Sequence, residues 1–256
     1  MSVTARFDKI ITPTMVQVGG RAMVIGLGSV GRPLTQYLLR AGTKVTAYDH
    51  DEVDLPNVGT QGYHRGDLGS PKVIAMEEEA HNILGDDIAP FRYKGRREEF
   101  ICTPEQMDDA INNLHIFVAV DSMRARQAIY AALTRLDVMH TKRFLYDVRC
   151  GAFVGNIQSV CLEDDDAKHK YERSLFDDSK ASPARCGMET MPHCPAFAAA
   201  LTFQAYCSNI NVYPNNYDCK VYDLRLGTLD CESDVGLPRT DGPVSVETAI
   251  PRMYGA

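Results

Sequence analysis

The sequence has no apolar run long enough to span a bilayer, no signal-peptide hydrophobic centre in its opening MSVTARFDKI, and no CxxC pair among its eight cysteines. The first two absences argue against a membrane-spanning helix and a secreted chain, and the expectation is a soluble, cytoplasmic protein. In that compartment Cys102, Cys150, Cys161, Cys186, Cys194, Cys207, Cys219 and Cys231 stay reduced. Without CxxC spacing, a structural zinc site has no ligand pattern to support it. A basic excess is also missing. The formal net charge is −7, which argues against nucleic acid or an anionic membrane as partner, because both need a basic face. There is no internal repeat and no low-complexity segment. What is present is enough for one sizeable core: 256 residues, 45% of them apolar, ordinary for a single α/β domain.

The chain is organised around Arg21 to Lys72. Ala22 to Ile25 is a short apolar run with the character of a buried strand, followed by Gly26, Gly28 and Gly31 in GxGxxG spacing. The first glycine allows a tight turn, the second lets backbone approach a phosphate, and the third lets a helix pack against the strand. Pro33 to Arg40 supplies that helix, whose N-terminal N–H groups attract phosphate. A second strand, Lys44 to Tyr48, ends at Asp49, where a carboxylate can accept hydrogen bonds from ribose hydroxyls. On these residues alone the turn fits a nucleotide site, a nicotinamide dehydrogenase included, or a tight connection that binds nothing.

From Asp51 to Gly69 proline, glycines and the lack of a period predict mostly loop. Ser70 to Ile83 reads as a helix with Pro71 in its first turn, Val73, Ile74, Ala80 and Ile83 on one side and MEEEAH toward water. Ile88 to Tyr93 is a strand candidate, and Thr103 and Gln106 form a capping box for a helix over TPEQMDDAINNL. His115 to Val120 is a continuous apolar run, hence a central strand ending at Asp121. A helix carrying Arg124 and Arg126 and a strand from Arg143 to Val148 complete an alternation that predicts a doubly wound, mainly parallel sheet. CGAFVGNIQSVCL then reads as a strand pair turning near Gly155 and Asn156, so antiparallel strands continue the sheet in the C-terminal half. The charged EDDDAKHKYERSLFDDSKASPARC predicts an exposed crossover. Pro195 to Ile210 reads as a helix apolar on nearly every side, and CKVYDLRLGTLDC as one or two strands. Residues 1–231 form the expected single domain, its nucleotide-binding half at about 20–150, and 232–256 an irregular tail.

The succession Asp49, Asp51, Val53, Asn57, Gln61 and then GSPK ending at Lys72 resembles the signature of the ThiF/MoeB and ubiquitin-activating superfamily of adenylyltransferases, D-x-D-x-V-x-x-x-N-L-x-R-Q followed by G-x-P-K. The resemblance runs well from Arg6 to Arg126 and loosely beyond. It implies a Rossmann-like fold and a reaction with ATP and Mg²⁺ that joins the C-terminal carboxylate of a ubiquitin-like or sulfur-carrier protein or peptide to AMP, in a homodimer. On the family pattern Gly26, Gly28 and Gly31 cradle phosphate, Asp49 holds ribose, Asn57 bonds the phosphates or ribose, and Asp51, Gln61 and Arg126 belong to the nucleotide-binding set. Lys72 neutralises phosphate, Asp121 holds Mg²⁺, and Arg126 is the arginine of D-N-x-x-x-R, with Ser122 replacing the asparagine. Arg6-Phe7-Asp8-Lys9 is similar to the R-Y-x-R-Q arm that reaches a partner subunit, with Lys9 in place of arginine. Cys186 stands where relatives carry a cysteine that receives the activated carrier, with Cys194 the poorer candidate and His193 close by in sequence.

Two departures bear on activity. The family's paired CxxC motifs are absent, and Thr60 stands where N-L-x-R-Q has arginine. Threonine carries no charge and cannot make a bidentate phosphate contact, so either a neighbour such as Arg65 or Arg32 takes over or adenylation is weak or absent. Two other readings stay open: a nicotinamide-dependent oxidoreductase, and a catalytically silent nucleotide-binding module that holds a partner.

Overall fold

The computed structural model describes residues 20–136, 142–150, 155–177 and 193–210 and the strands Asp223–Leu226 and Cys231–Ser233. Strands β1 (Arg21–Ile25), β2 (Lys44–Tyr48), β3 (Tyr93–Arg96), β4 (His115–Val118), β5 (Phe144–Cys150), β6 (Gly155–Cys161), β7 (Asp223–Leu226) and β8 (Cys231–Ser233) form one sheet in the order β3-β2-β1-β4-β5-β6-β7-β8. The first five strands pair in parallel and the last three join antiparallel. This is the doubly wound, mainly parallel α/β fold expected, with its antiparallel continuation. Between β1 and β4 the strand order reverses direction, so the crevice beyond their carboxyl ends is the place such sheets bind ligands.

Helices cover both faces. Alternate residues of β1 point to opposite sides, and Ala22 and Val24 join Leu34, Leu38, Val73, Met76, Ala198 and Tyr206 in one core. Met23 and Ile25 join Ala110, Ile129, Leu133 and Tyr171 in the other. The first face therefore packs α1 (Gly31–Arg40), α3 (Lys72–Leu84) and α8 (His193–Ile210), and the second packs α5 (Pro104–Ile111), α6 (Met123–Leu133) and α7 (Asp165–Glu172). Parallel strands covered on both faces read as near-continuous apolar runs, and β4 is buried at every position.

Several expectations need correcting. The segment read as loop after Asp51 contains a helix, α2 (Leu55–Thr60), and a 3₁₀ turn at Arg65–Asp67. Helix α2 buries none of its residues; local bonds hold it, Asn57 Oδ1 accepting the Asp54 N–H at 3.0 Å. Ile88 to Tyr93 is not a strand: Ala89–Arg92 is a short helix, α4, and β3 begins at Tyr93. Pro90 explains the shift, since it cannot donate to a ladder but fits a helix's first turn. In α3, Val73 and Ala80 are buried as expected, but Met76 is buried with them and Ile74 is 43% exposed, each opposite to its expected side. Gly155 and Asn156 are not the turn but ladder residues, opposite Cys150 and Arg149. The charged crossover holds α7, whose N-cap Asp164 accepts the Ala167 N–H at 3.1 Å and which is anchored by Ala167 and Tyr171 one turn apart. Helix α8 buries one stripe rather than its whole circumference: Ala198, Thr202, Ala205 and Asn209 are buried, while Phe197 is 52% exposed. The Thr103 and Gln106 capping box forms as expected. Residues 1–19, with Lys9, and 234–256 lie outside the described residues, as does Cys186.

Candidate functional site

The glycine turn leaves β1 at Gly26, which has φ +94° and lies so close to β4 that an added Cβ would come within 2.7 Å of the Ala119 carbonyl oxygen. A Cβ at Gly31 would fall 1.8 Å from the Gly26 carbonyl oxygen, so only glycine lets α1 start this close to the strand. A Cβ at Gly28 would meet nothing within 4 Å. Its backbone faces open space, as a phosphate cradle requires.

Asp49 fixes the turn. One of its oxygens accepts the Leu27 N–H at 2.6 Å and the other the Asp51 N–H at 2.8 Å, and the residue is 8% exposed. A carboxylate has about four lone-pair sites, so two remain for ligand hydroxyls. From Asp51 the chain pairs with the segment before α3: the Val53 N–H donates to Ser70 O at 2.9 Å and the Lys72 N–H to Asp51 O at 3.0 Å. That pairing brings the Lys72 ammonium to 2.8 Å from the Asp51 carboxylate. Lys72 is 5% exposed, which excludes a solvated surface lysine. Its hydrogen bond holds the Asp51 carboxyl below the ordinary carboxylate range against partial burial.

Asp121 is exposed just past β4, on the neighbouring strand to the turn. The cap of α6 is Ser122, whose Oγ accepts the Ala125 N–H at 3.2 Å, so Asp121 is not spent on capping. A hard oxygen donor on the same edge as the glycine turn fits Mg²⁺, which takes one or two carboxylates plus phosphates. Asn57 sits half-buried on α2, with its side-chain oxygen committed to Asp54. Gln61 follows α2, and its side-chain oxygen is buried without a hydrogen-bond partner.

Arg126 is a correction. Its guanidinium, 6% exposed, donates to Asp147, Val120 O and Val118 O, the last at 3.4 Å. It closes the end of β4 onto β5 instead of presenting charge to a phosphate. Burial lowers its pKa to about 10, still far above neutrality. Asp147 is fully buried and also takes Arg149 Nε at 2.7 Å and the Tyr171 hydroxyl at 3.0 Å. Cys194, the poorer thiol candidate, is 4% exposed and paired with Cys150, and burial pushes both thiols up, Cys150 to about 12. Neither is a ready thiolate.

Sequence reasoning gave Arg32 only as one of two possible substitutes for an arginine at Thr60. The structure buries it to 6% exposure, with its carbon Cζ 4.8 Å from the centroid of the Tyr63 ring, whose hydroxyl donates to Leu27 O at 2.8 Å. Thr60 bonds back to Pro56 O at 2.9 Å within α2. The signal for Arg32 was its place directly after the third glycine.

Three comparisons bear on what this arrangement belongs to. The chain is similar in structure to Escherichia coli tRNA N6-threonylcarbamoyladenosine dehydratase, TcdA, at TM-score 0.61 and 18% identity over 84% of this chain and 96% of that one. A structure of the same enzyme in complex with AMP matches at TM-score 0.62 and 16% identity, covering 83% and 95%. PaaA matches at 0.62 and 12% identity, covering 86% of this chain and 64% of its own. At these identities the likeness is one of fold. No curated protein matches. The family model described as the ThiF family matches residues 18–231, a span that takes in the glycine turn, Asp49, Lys72 and Asp121, and the chain belongs to that family.

Proposed function

We propose that this chain is an ATP-dependent adenylyltransferase that activates the C-terminal carboxylate of a ubiquitin-like or sulfur-carrier protein or peptide. The observation that carries the reading is Lys72, a buried ammonium held by Asp51 beside the Asp49-locked glycine turn. A redox dinucleotide needs the turn and the first acid but has no use for a buried lysine at this edge.

In the reaction, a carboxylate oxygen attacks the α-phosphorus of ATP, the bond from that phosphorus to the bridging oxygen breaks, and pyrophosphate leaves with the electron pair. Negative charge grows on phosphate oxygens, so catalysis is mostly positional and electrostatic. The open backbone at Gly28 and the N-terminus of α1 take phosphate, the remaining lone pairs of Asp49 take ribose hydroxyls, and Asn57 and Gln61 line the nucleotide. Lys72 turns from Asp51 to the phosphates. Asp121 would hold Mg²⁺, which supplies further neutralisation of phosphate charge when bound. Later transfer of the activated acyl group to a cysteine falls to Cys186, and Lys9 would serve the site of a second copy in a homodimer.

The test is pyrophosphate exchange with purified protein, ATP, Mg²⁺ and a panel of carrier proteins and peptides, with tRNA added because the similar TcdA is by its name a tRNA-modifying enzyme. Carrier-dependent exchange, lost in Asp121→Ala and kept in Cys186→Ser, is the expected result. Tight NAD binding without ATP binding overturns the reading, and exchange that depends on tRNA alone replaces the carrier with a nucleic acid.

A further inference from the structure

A buried guanidinium without an anion is an unusual thing for a fold to keep. Taking such a charge out of water is unfavourable, and proteins usually meet it with a carboxylate. Arg32 has none among the described residues. Its Nε has no hydrogen-bond partner, and none of the nearby described acids is hydrogen-bonded to it. Asp49 holds the Leu27 and Asp51 amides, Asp51 holds Lys72, and Asp67 Oδ2 accepts the His64 N–H at 2.7 Å. The Tyr63 ring steadies the cation from one face but does not neutralise it.

Its position says what the missing anion is. Arg32 is the second residue of α1, one past the glycine turn, where backbone N–H groups and the helix dipole already favour negative charge. On its other side lies the segment after α2: an added Cβ at Gly62 would come within 2.9 Å of Arg32 Nη1. The guanidinium therefore packs against the Tyr63 ring and Gly62, the latter two residues along the chain from the uncharged Thr60. Gln61 Oε1, in the same segment, is also buried without a partner. Both atoms await a ligand that offers an anion to one and a donor to the other.

We infer that Arg32 binds a phosphate group of the nucleotide, supplying from α1 the cation that Thr60 does not supply from α2. The inference rests on the adenylyltransferase reading, because it needs a phosphate-bearing ligand over the glycine turn. Arg32 is kept buried and unpaired at the expense of stability because its counterion arrives with the nucleotide. A guanidinium with five donors in a planar fork suits a phosphate better than a lysine would.

The experiment is calorimetric titration of wild type and Arg32→Met with ATP and with adenosine, alongside melting of the ligand-free proteins. The expected result is ATP affinity lower by about tenfold or more in Arg32→Met, adenosine affinity within about twofold of wild type, and a ligand-free Tm that is unchanged or higher, since an unpaired buried charge has been replaced by an apolar side chain of similar length. A purely structural arginine gives the opposite pattern, a lower Tm with ATP affinity intact, and that overturns the inference. Equal loss of ATP and adenosine overturns it too. Introducing Thr60→Arg into Arg32→Met should restore ATP affinity, and Arg32→Lys, which keeps the charge, gives an intermediate ATP affinity should Arg32→Met not fold. Wild type that binds no ATP removes the adenylyltransferase reading itself, whereas wild type that binds ATP beside an unaffected Arg32→Met removes only the role of Arg32.

Discussion

At Lys72 and Asp51, the ammonium sits 2.8 Å from a carboxylate whose side chain is half exposed. The pairing lowers the Asp51 pKa from its ordinary 3.8, the hydrogen bond from Lys72 being the largest cause. A depressed acid contributes stability that is fully present above about pH 4 and is lost as pH falls through the lower folded value. In Lys72→Ala the Asp51 carboxyl should titrate at higher pH than in wild type, seen by ¹³C NMR of the side chain. The ion-pair contribution lost at neutral pH is about 1 kcal/mol or less, because solvent screens the exposed partner, while pyrophosphate exchange disappears. A Lys72→Ala protein that exchanges normally would place the reacting phosphates elsewhere. The thiols give a second test at this scale. Cys150 is pushed up to about 12 by burial first, then by Cys194. At pH 7 to 9 it is a neutral thiol, so iodoacetamide should leave Cys150 and Cys194 unmodified in the folded protein, as mass spectrometry of the labelled peptides would show. Rapid labelling of Cys194 would reopen it as a nucleophile.

At the scale of elements, Asp147 decides how the carboxyl ends of β4 and β5 are joined to α6 and α7. It is fully buried and accepts from Arg126, Arg149 and Tyr171. Asp147→Asn leaves two guanidinium groups short of their counterion in a dry site, and breaking such a pair costs about 3–5 kcal/mol. Urea denaturation should show that loss with an unchanged m-value, and an effect under about 1 kcal/mol would mean water reaches the cluster. This is also where sequence reading reached its limit. The resemblance to D-N-x-x-x-R put Arg126 among the nucleotide-binding residues, yet whether a guanidinium turns toward the crevice or into the sheet depends on Asp147, 21 positions away. Spacing along one helix cannot register that. Helix α2 was missed because its capping side chains lie among proline and glycine, and α7 because two buried anchors, Ala167 and Tyr171, give too little apolar period to read. Elements buried on a whole face were legible. The apolar runs of β1 and β4 and the glycine turn between β1 and α1 came out where expected, since burial and a tight turn each leave a local mark.

Across the whole molecule, the parallel half was legible from alternation of strand and helix, while the change to antiparallel pairing follows from a short connection. Only residues 151–154 separate β5 from β6, too few for the crossover a parallel neighbour requires. The resulting sheet keeps the reversal of strand order between β1 and β4, and the proposed ligand would bridge the turn, Asp49, Lys72 and Asp121, which come from four different segments. A ligand that bridges those segments binds only the folded chain. ATP with Mg²⁺ at about one hundred times its Kd should therefore stabilise the protein by about 2.7 kcal/mol. For a chain of this size each kcal/mol shifts Tm by roughly 2–4 °C, so the expected rise is roughly 5–10 °C. Adenosine should give a smaller rise at equal concentration, because it brings no phosphate to Lys72 or Arg32. NAD bears on the redox alternative through the same measurement. It shares the adenosine and two phosphates but not the terminal charge, so its shift should fall below that of ATP at matched concentration. Differential scanning fluorimetry across the three ligands ranks them directly. NAD at the top, with ATP giving no shift, would make the glycine turn a redox-cofactor site and leave the buried lysine a structural ion pair.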